Sequence, residues 1–173
     1  MREWIIKPNL YIGDDNIQRF VLGVDGSNPL ICFGINPSTA TIDSPDATLK
    51  KVEQFSIRGG YDGWIMLNLY AQRATYPKDL HQAVDSKLHT RNMEHITKIL
   101  QRSNLTLWAA WGTVIKQRKY LNKCLCDIHQ IAIVHDCHWV SYGNNTKDGH
   151  PRHPCYLSYA SRSADFDVDA YIA

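Results

Sequence analysis

Leu30-Ile31-Cys32-Phe33-Gly34-Ile35-Asn36-Pro37-Ser38 is an apolar run that breaks off into a glycine, an amide and a proline. Four consecutive apolar residues ahead of a turn signal read as a strand buried on both faces. Gly34 lets the backbone turn tightly off that strand, and Pro37 sets the direction in which the chain leaves it. The same grammar recurs three times. Trp64-Ile65-Met66-Leu67 runs into Asn68-Leu69-Tyr70-Ala71-Gln72-Arg73, and Leu105 to Ala110 runs into Trp111-Gly112. The mixed run Trp139-Val140-Ser141-Tyr142 is followed by Gly149-His150-Pro151-Arg152-His153-Pro154. In an open parallel sheet, ligands sit in the crevice beyond the carboxyl ends of the strands. Four strands delivering amides, an arginine, a bare glycine and histidines to one rim would build a compact polar pocket.

Between these strands the chain reads as helices. Asp46 caps a helix from about Ala47 to Arg58, and Gly59-Gly60 stops it. Pro77 starts a short helical turn. Asp85 or Ser86 opens a longer helix to about Arg102, with Met93, Ile96, Ile99 and Leu100 along one stripe. Thr113 to about Leu125 reads as a basic amphipathic helix. His129 to Val134 and His138 to Tyr142 read as strands, the second at an edge, and a helix or irregular segment is expected after Pro154. Near the start, Phe20 to Val24 and Leu30 to Phe33 are joined by Asp25-Gly26-Ser27-Asn28-Pro29, whose Asp-Gly and Asn-Pro pairs predict an opening hairpin. Alternating strands and helices predict a three-layer α/β fold with a mainly parallel sheet, as a single domain over residues 1–173.

Composition narrows the function. A chain of 173 residues is long enough to bury a core as one domain. The net charge is only +2, so there is no general basic excess of the kind phosphate-binding proteins carry. No apolar stretch reaches the roughly 20 residues that a membrane span requires. Met1-Arg2-Glu3-Trp4 lacks the apolar core of a secretion signal, and five cysteines are an odd number. Reduced thiols in the cytoplasm, with no membrane partner, are the expectation. Cys124-x-Cys126-x-x-His129, with His135, Cys137 and His138 beyond, raises the question of a metal. Structural zinc pairs have two to four intervening residues, whereas Cys124 and Cys126 have one. Packed or exposed side chains, with no metal and no cofactor, are expected there.

The pocket candidates emerge from residue chemistry. Asn36 can hold a water through its donor and acceptor ends; as part of an Asn-Pro turn it can equally cap the next turn of chain, with Gly34, Pro37 and Ser38 shaping the loop. Asn68, at the end of a buried strand, must find hydrogen-bond partners, since an unsatisfied buried amide costs about 1–3 kcal/mol. Those partners are either neighbouring backbone or the edge of a base, where one amide donates and accepts at adjacent ring positions. Gln72 and Arg73 are close enough along the chain to serve phosphate or base oxygens. Gly112 leaves room at the third strand. His150, Arg152 and His153 share a proline-flanked loop, and His153 is suited to stabilise an oxygen that gains charge in a transition state. Asp43 and Asp46 invite a cation- or water-activating role, but Asp46 reads first as a helix cap and Asp43 as a solvated charge.

Asn36-Pro37-Ser38-Thr39-Ala40, Asp46-Ala47-Thr48, Asn68-Leu69, Ala110-Trp111-Gly112 and the late His-Pro resemble an uncharacterised bacterial and phage family, domain of unknown function 1643. The resemblance spans most of residues 18 to 158. More distantly, the same order resembles the uracil-DNA glycosylase superfamily. That superfamily has an early Gly-x-Asn-Pro or Gly-x-Asp-Pro motif, a buried strand ending in a base-reading Asn, an apolar-Trp-Gly strand and a His-Pro segment. The resemblance implies a three-layer α/β/α sandwich with a mainly parallel four-stranded central sheet, to which the N-terminal hairpin is added. It further implies that Asn36 positions water, Asn68 reads a base and His153 is the motif histidine.

The expected function is then hydrolysis of an N-glycosidic bond of a modified or damaged base, in nucleic acid or in a free nucleotide or nucleoside. Two departures stand against it. Cys155-Tyr156-Leu157 come after the His-Pro where the superfamily continues with Ser-Pro, and Asn36 is an amide that cannot act as a general base. The alternative is a non-catalytic nucleotide or base sensor, or an interaction domain, on the same fold.

Overall fold

The computed structural model describes residues 2–14 and 16–173. Its centre is a mixed sheet of seven strands. These are β1 (Leu10–Asp14), β2 (Gln18–Val24), β3 (Pro29–Gly34), β4 (Gly63–Asn68), β5 (Thr106–Ala109), β6 (His138–Tyr142) and β7 (Ser163–Asp165), in the order β1-β2-β4-β3-β5-β6-β7. β4, β3, β5 and β6 run parallel. β1 and β2 extend the sheet antiparallel on one side, and β7 pairs antiparallel with β6 on the other. The expected four-stranded sheet is therefore corrected to seven strands. β1 and β7 are short and exposed or half-exposed, and such strands leave a weak apolar signal in a sequence, while β2 joins the same sheet through β4.

The opening hairpin is corrected as well. β2 and β3 are not neighbours, because β4 lies between them. Asp62, just ahead of β4, accepts from the Ser27 and Asn28 amides at 2.8 Å each and from the Ser27 hydroxyl at 2.6 Å. That carboxylate clasps the loop after β2 to the start of β4, so the loop spans a strand instead of closing a hairpin. The N-terminal hairpin is β1 with β2.

Side chains alternate along the strands and feed an apolar cluster on each face of the sheet. On one face Leu30, Cys32, Trp64, Met66 and Trp108 pack against Leu49, Val52 and Phe55 of helix α1 (Ala47–Arg58). On the other, Ile31, Phe33, Ile65, Leu67 and Leu107 pack against α2 (Ser86–Leu100) and α3 (Tyr120–Val134). A short α4 (Val168–Ile172) closes the chain. His129 to Val134 belongs to α3, not to a strand. Leu121, Leu125, Ile128 and Ala132 recur at helical spacing and are buried, which outweighs the β-branched run that suggested extension. β6 is not an edge, since β7 covers it. No helix is long and apolar enough to cross a membrane among the described residues.

Candidate functional site

A cavity of about 240 Å³ opens where the parallel strands end, on the α1 side, and Gly34, Asn36, Ser38, Asp46 and His153 share its wall. Ile35, Met66 and Trp111 supply apolar surface. Asn68 sits behind Gly34, its register partner on β4. A β-carbon on Gly34 would stand 3.0 Å from Asn68 Oδ1 and 2.7 Å from Met66 Cε, so the missing side chain is what lets both pack directly against this wall. Asn68 is only 1% exposed, and neither its Oδ1 nor its Nδ2 has a hydrogen-bond partner among the described residues. Its backbone is held from the far side of the sheet, where Asn92 of α2 donates to the Asn68 carbonyl at 3.0 Å.

Asn36 contributes differently. Its Nδ2 donates to the carbonyls of Pro37 (3.0 Å) and Ala74 (2.8 Å), which ties the loop after β3 to the segment after β4. Only Oδ1 is left to a ligand or a water. His153 starts a 3-10 turn at Pro154–Tyr156, and its Nδ1 accepts from the Cys155 amide at 3.3 Å. A neutral ring accepting at Nδ1 carries its proton on Nε2. Burial holds the His153 imidazole below its ordinary 6.5, while the Asp46 carboxylate pulls in the opposite direction. At neutral pH the cavity therefore contains an uncharged imidazole donor. Gly112 adopts φ +61°, and a β-carbon there would lie 3.3 Å from His153 Cβ. The bare glycine lets the two loops meet.

Arg152 lines an adjoining hollow of about 570 Å³ together with Gly112 and His153. This hollow shares Thr75, Pro77, Val114 and His153 with the first, so the two form one continuous crevice.

Besides Asn68, which sits behind Gly34, four expected site residues lie off the cavity wall. Gln72 has both ends of its amide engaged, donating to Asp79 O at 3.1 Å and accepting from His81 N at 2.7 Å. Arg73 reaches the Ala40 carbonyl at 3.3 and 3.4 Å. Pro37 is buried beneath the loop, with its carbonyl bonded to Asn36 and Ala74. His150 faces a separate hollow, where its Nδ1 is 2.7 Å from the Tyr171 hydroxyl. That hydroxyl accepts from the Trp111 indole at 3.2 Å, so His150 braces the tryptophan wall of the cavity from behind.

Arg19 and Asp46 also belong to the cavity. Arg19 is 2% exposed and donates to the Ala40 carbonyl at 2.8 Å. A charged residue opening an apolar run was its only trace in the sequence. Asp46 is a helix cap, as expected, with Oδ1 accepting from Leu49 N at 2.9 Å, and it also faces the cavity. Cys124 and Cys126 lie on the same helix, α3, where Cys124 Sγ is buried 3.5 Å from His89 Nδ1. Among the described residues, no group of three or more His, Cys, Asp or Glu side chains is arranged to hold a metal ion.

A family model described as a protein of unknown function, DUF1643, matches residues 19–155. The chain belongs to the DUF1643 family. No curated protein and no solved structure matches it. The DUF1643 span contains Arg19, Gly34, Asn36, Asp46, Asn68, Gly112 and His153, while the bracing Tyr171 lies beyond it.

Proposed function

We propose that this DUF1643 protein is a hydrolase of glycosylase type, which binds a nucleobase in the crevice and cleaves its N-glycosidic bond. One observation carries the reading: the Asn68 carboxamide is buried with a donor and an acceptor both unpartnered, beside a cavity that Asn36 and His153 line. Burying two unmet polar atoms is costly. The edge of a lactam or imide, with N–H next to C=O, meets both at once. The cavity volume falls below the roughly 300–1,000 Å³ typical of pockets for drug-sized ligands, which suits a single heterocycle with the rest of the ligand outside. His153 Nε2–H then serves the base oxygen that gains charge as the bond breaks.

The four central parallel strands, with helices on both faces, support the likeness to the sandwich of the uracil-DNA glycosylase superfamily. Five unpaired thiols suit a reducing cytoplasm. The substrate is a modified or damaged base, in nucleic acid or in a free nucleotide or nucleoside.

A second reading, a base or nucleotide sensor without turnover, is favoured by Asn36. Its donor is consumed by two backbone carbonyls, and its remaining oxygen is no base. The two readings separate on oligonucleotides carrying one deoxyuridine, deoxyinosine or 5-hydroxymethyldeoxyuridine, and on the matching nucleosides. Base release by wild-type protein is expected. Asn68→Ala should abolish it and His153→Ala should slow it about 10²–10³-fold, with Tm within a few degrees of wild type. Nucleoside binding without release would decide for the sensor. Loss of Tm on a par with loss of release would reduce both side chains to structural roles.

A further inference from the structure

We propose that Asp46, which caps α1, is also the carboxylate that activates the attacking water. The inference rests on the glycosylase reading and adds the group that reading lacks. Asp46 has an extended backbone (φ −87°, ψ −179°), and its Oδ1 takes the Leu49 N–H at 2.9 Å. No protein hydrogen bond reaches Oδ2 among the described residues. The side chain lies on the cavity wall with Asn36, Ser38 and His153, and its charge is felt at the His153 ring. α1 is 12 residues long, so its N-terminal N–H groups keep an anion favourable at that end. Asn68, buried and without a side-chain hydrogen bond among the described residues, sits directly behind Gly34 of the same cavity wall.

The chemistry needs a group of this kind. Asn36 offers only an amide oxygen, which orients a water but does not take its proton. An oxocarbenium-like sugar asks little of its base, so a weakly basic carboxylate is adequate. In the proposed step the water oxygen forms a bond to C1′ of the sugar. The C1′–N bond breaks, and its electron pair leaves on the base. Asp46 Oδ2 accepts the proton lost by the water. His153 Nε2–H hydrogen-bonds the oxygen of the departing anion, which solvent then protonates.

Helix capping and proton transfer are separable. Asparagine caps a helix about as well as aspartate, but it is no base. Asp46→Asn is therefore expected to keep Tm and nucleoside binding while slowing release about 10²–10⁴-fold on the oligonucleotide panel. It should also lower the His153 pKa read from its imidazole NMR signals. Asp46→Ala should match the kinetic loss and also lower Tm. Release by Asp46→Asn within about threefold of an active wild type would overturn the assignment and leave the glycosylase reading standing. No release by wild-type protein on any panel member would overturn both.

Discussion

Asn68 is the residue on which the proposed recognition turns, and its setting is unusual for a core amide. Its backbone carbonyl is tied down by Asn92, yet both polar atoms of its side chain lack partners among the described residues. Gly34, which lines the cavity, is what lets the amide pack directly behind that wall. Gly34→Ala would bring a β-carbon to 3.0 Å from Asn68 Oδ1 and 2.7 Å from Met66 Cε. The thioether end of Met66 is flexible and can yield, whereas the shorter, buried amide has less freedom to move. The substitution should lower stability by only about 1–2 kcal/mol, while nucleoside-induced thermal stabilisation disappears. Retained nucleoside binding in Gly34→Ala would mean that Asn68 does not contact the ligand. Asn36 is the contrasting case: its loop position was legible, but the two carbonyls that claim its donor come from the folded chain.

At the level of elements, irregularities aim the side chains. β1 and β2 pair as Ile12 with Val21 and then Gly13 with Arg19, which leaves Phe20 as an extra residue on β2. This bulge puts Phe20 and Val21 into the same apolar cluster and turns Arg19 toward Ala40 on the cavity side. In a regular strand Arg19 would share the face of Val21. Beyond the end of β5, Gly112 makes the corner with φ +61° as the first residue of the 3-10 turn Gly112–Gln117. Gly112→Ala combines left-handed strain with a β-carbon 3.3 Å from His153 Cβ. It should cost roughly 1–2 kcal/mol in stability and displace the imidazole enough to slow base release. Chemical denaturation and single-turnover release would measure the two effects, and unchanged release would argue that His153 tolerates movement. The capped helix α1 was readable to the residue, because Asp46 and Gly59 are local signals. α3 was misread where β-branched residues overlie a helical stripe, since burial on one face decides there and propensity does not.

Across the whole molecule, histidine burial sets the response to acid. His95, His150 and His153 are all held below their ordinary 6.5, chiefly by burial. Lys98 and Arg91 add to the effect at His95, and Lys116 adds to it at His150. Each resists protonation more when folded than when unfolded. The unfolded chain therefore binds more protons as pH falls, so the stability present above about 6.5 is lost as pH drops through the folded values. Tm should fall between pH 7 and pH 5, before carboxylates such as Asp25 and Asp127 begin to protonate. Replacing His95 and His150 together by Asn should flatten that fall. An unchanged slope would place its origin elsewhere.

Apolar runs, turn residues and caps are local properties, and they determined by themselves that this is an α/β chain with polar groups at the ends of its buried strands. The order of those strands was a different matter. Only the folded chain placed β4 between β2 and β3, because both faces of β4 are apolar and Asp62 holds the connecting loop across its start. The tertiary structure also set Asp46 on the wall that Asn36 and His153 share, and removed Gln72 and His150 from it. Distances between residues far apart in the chain depend on which faces pack together, and packing is decided by the whole set of buried surfaces at once.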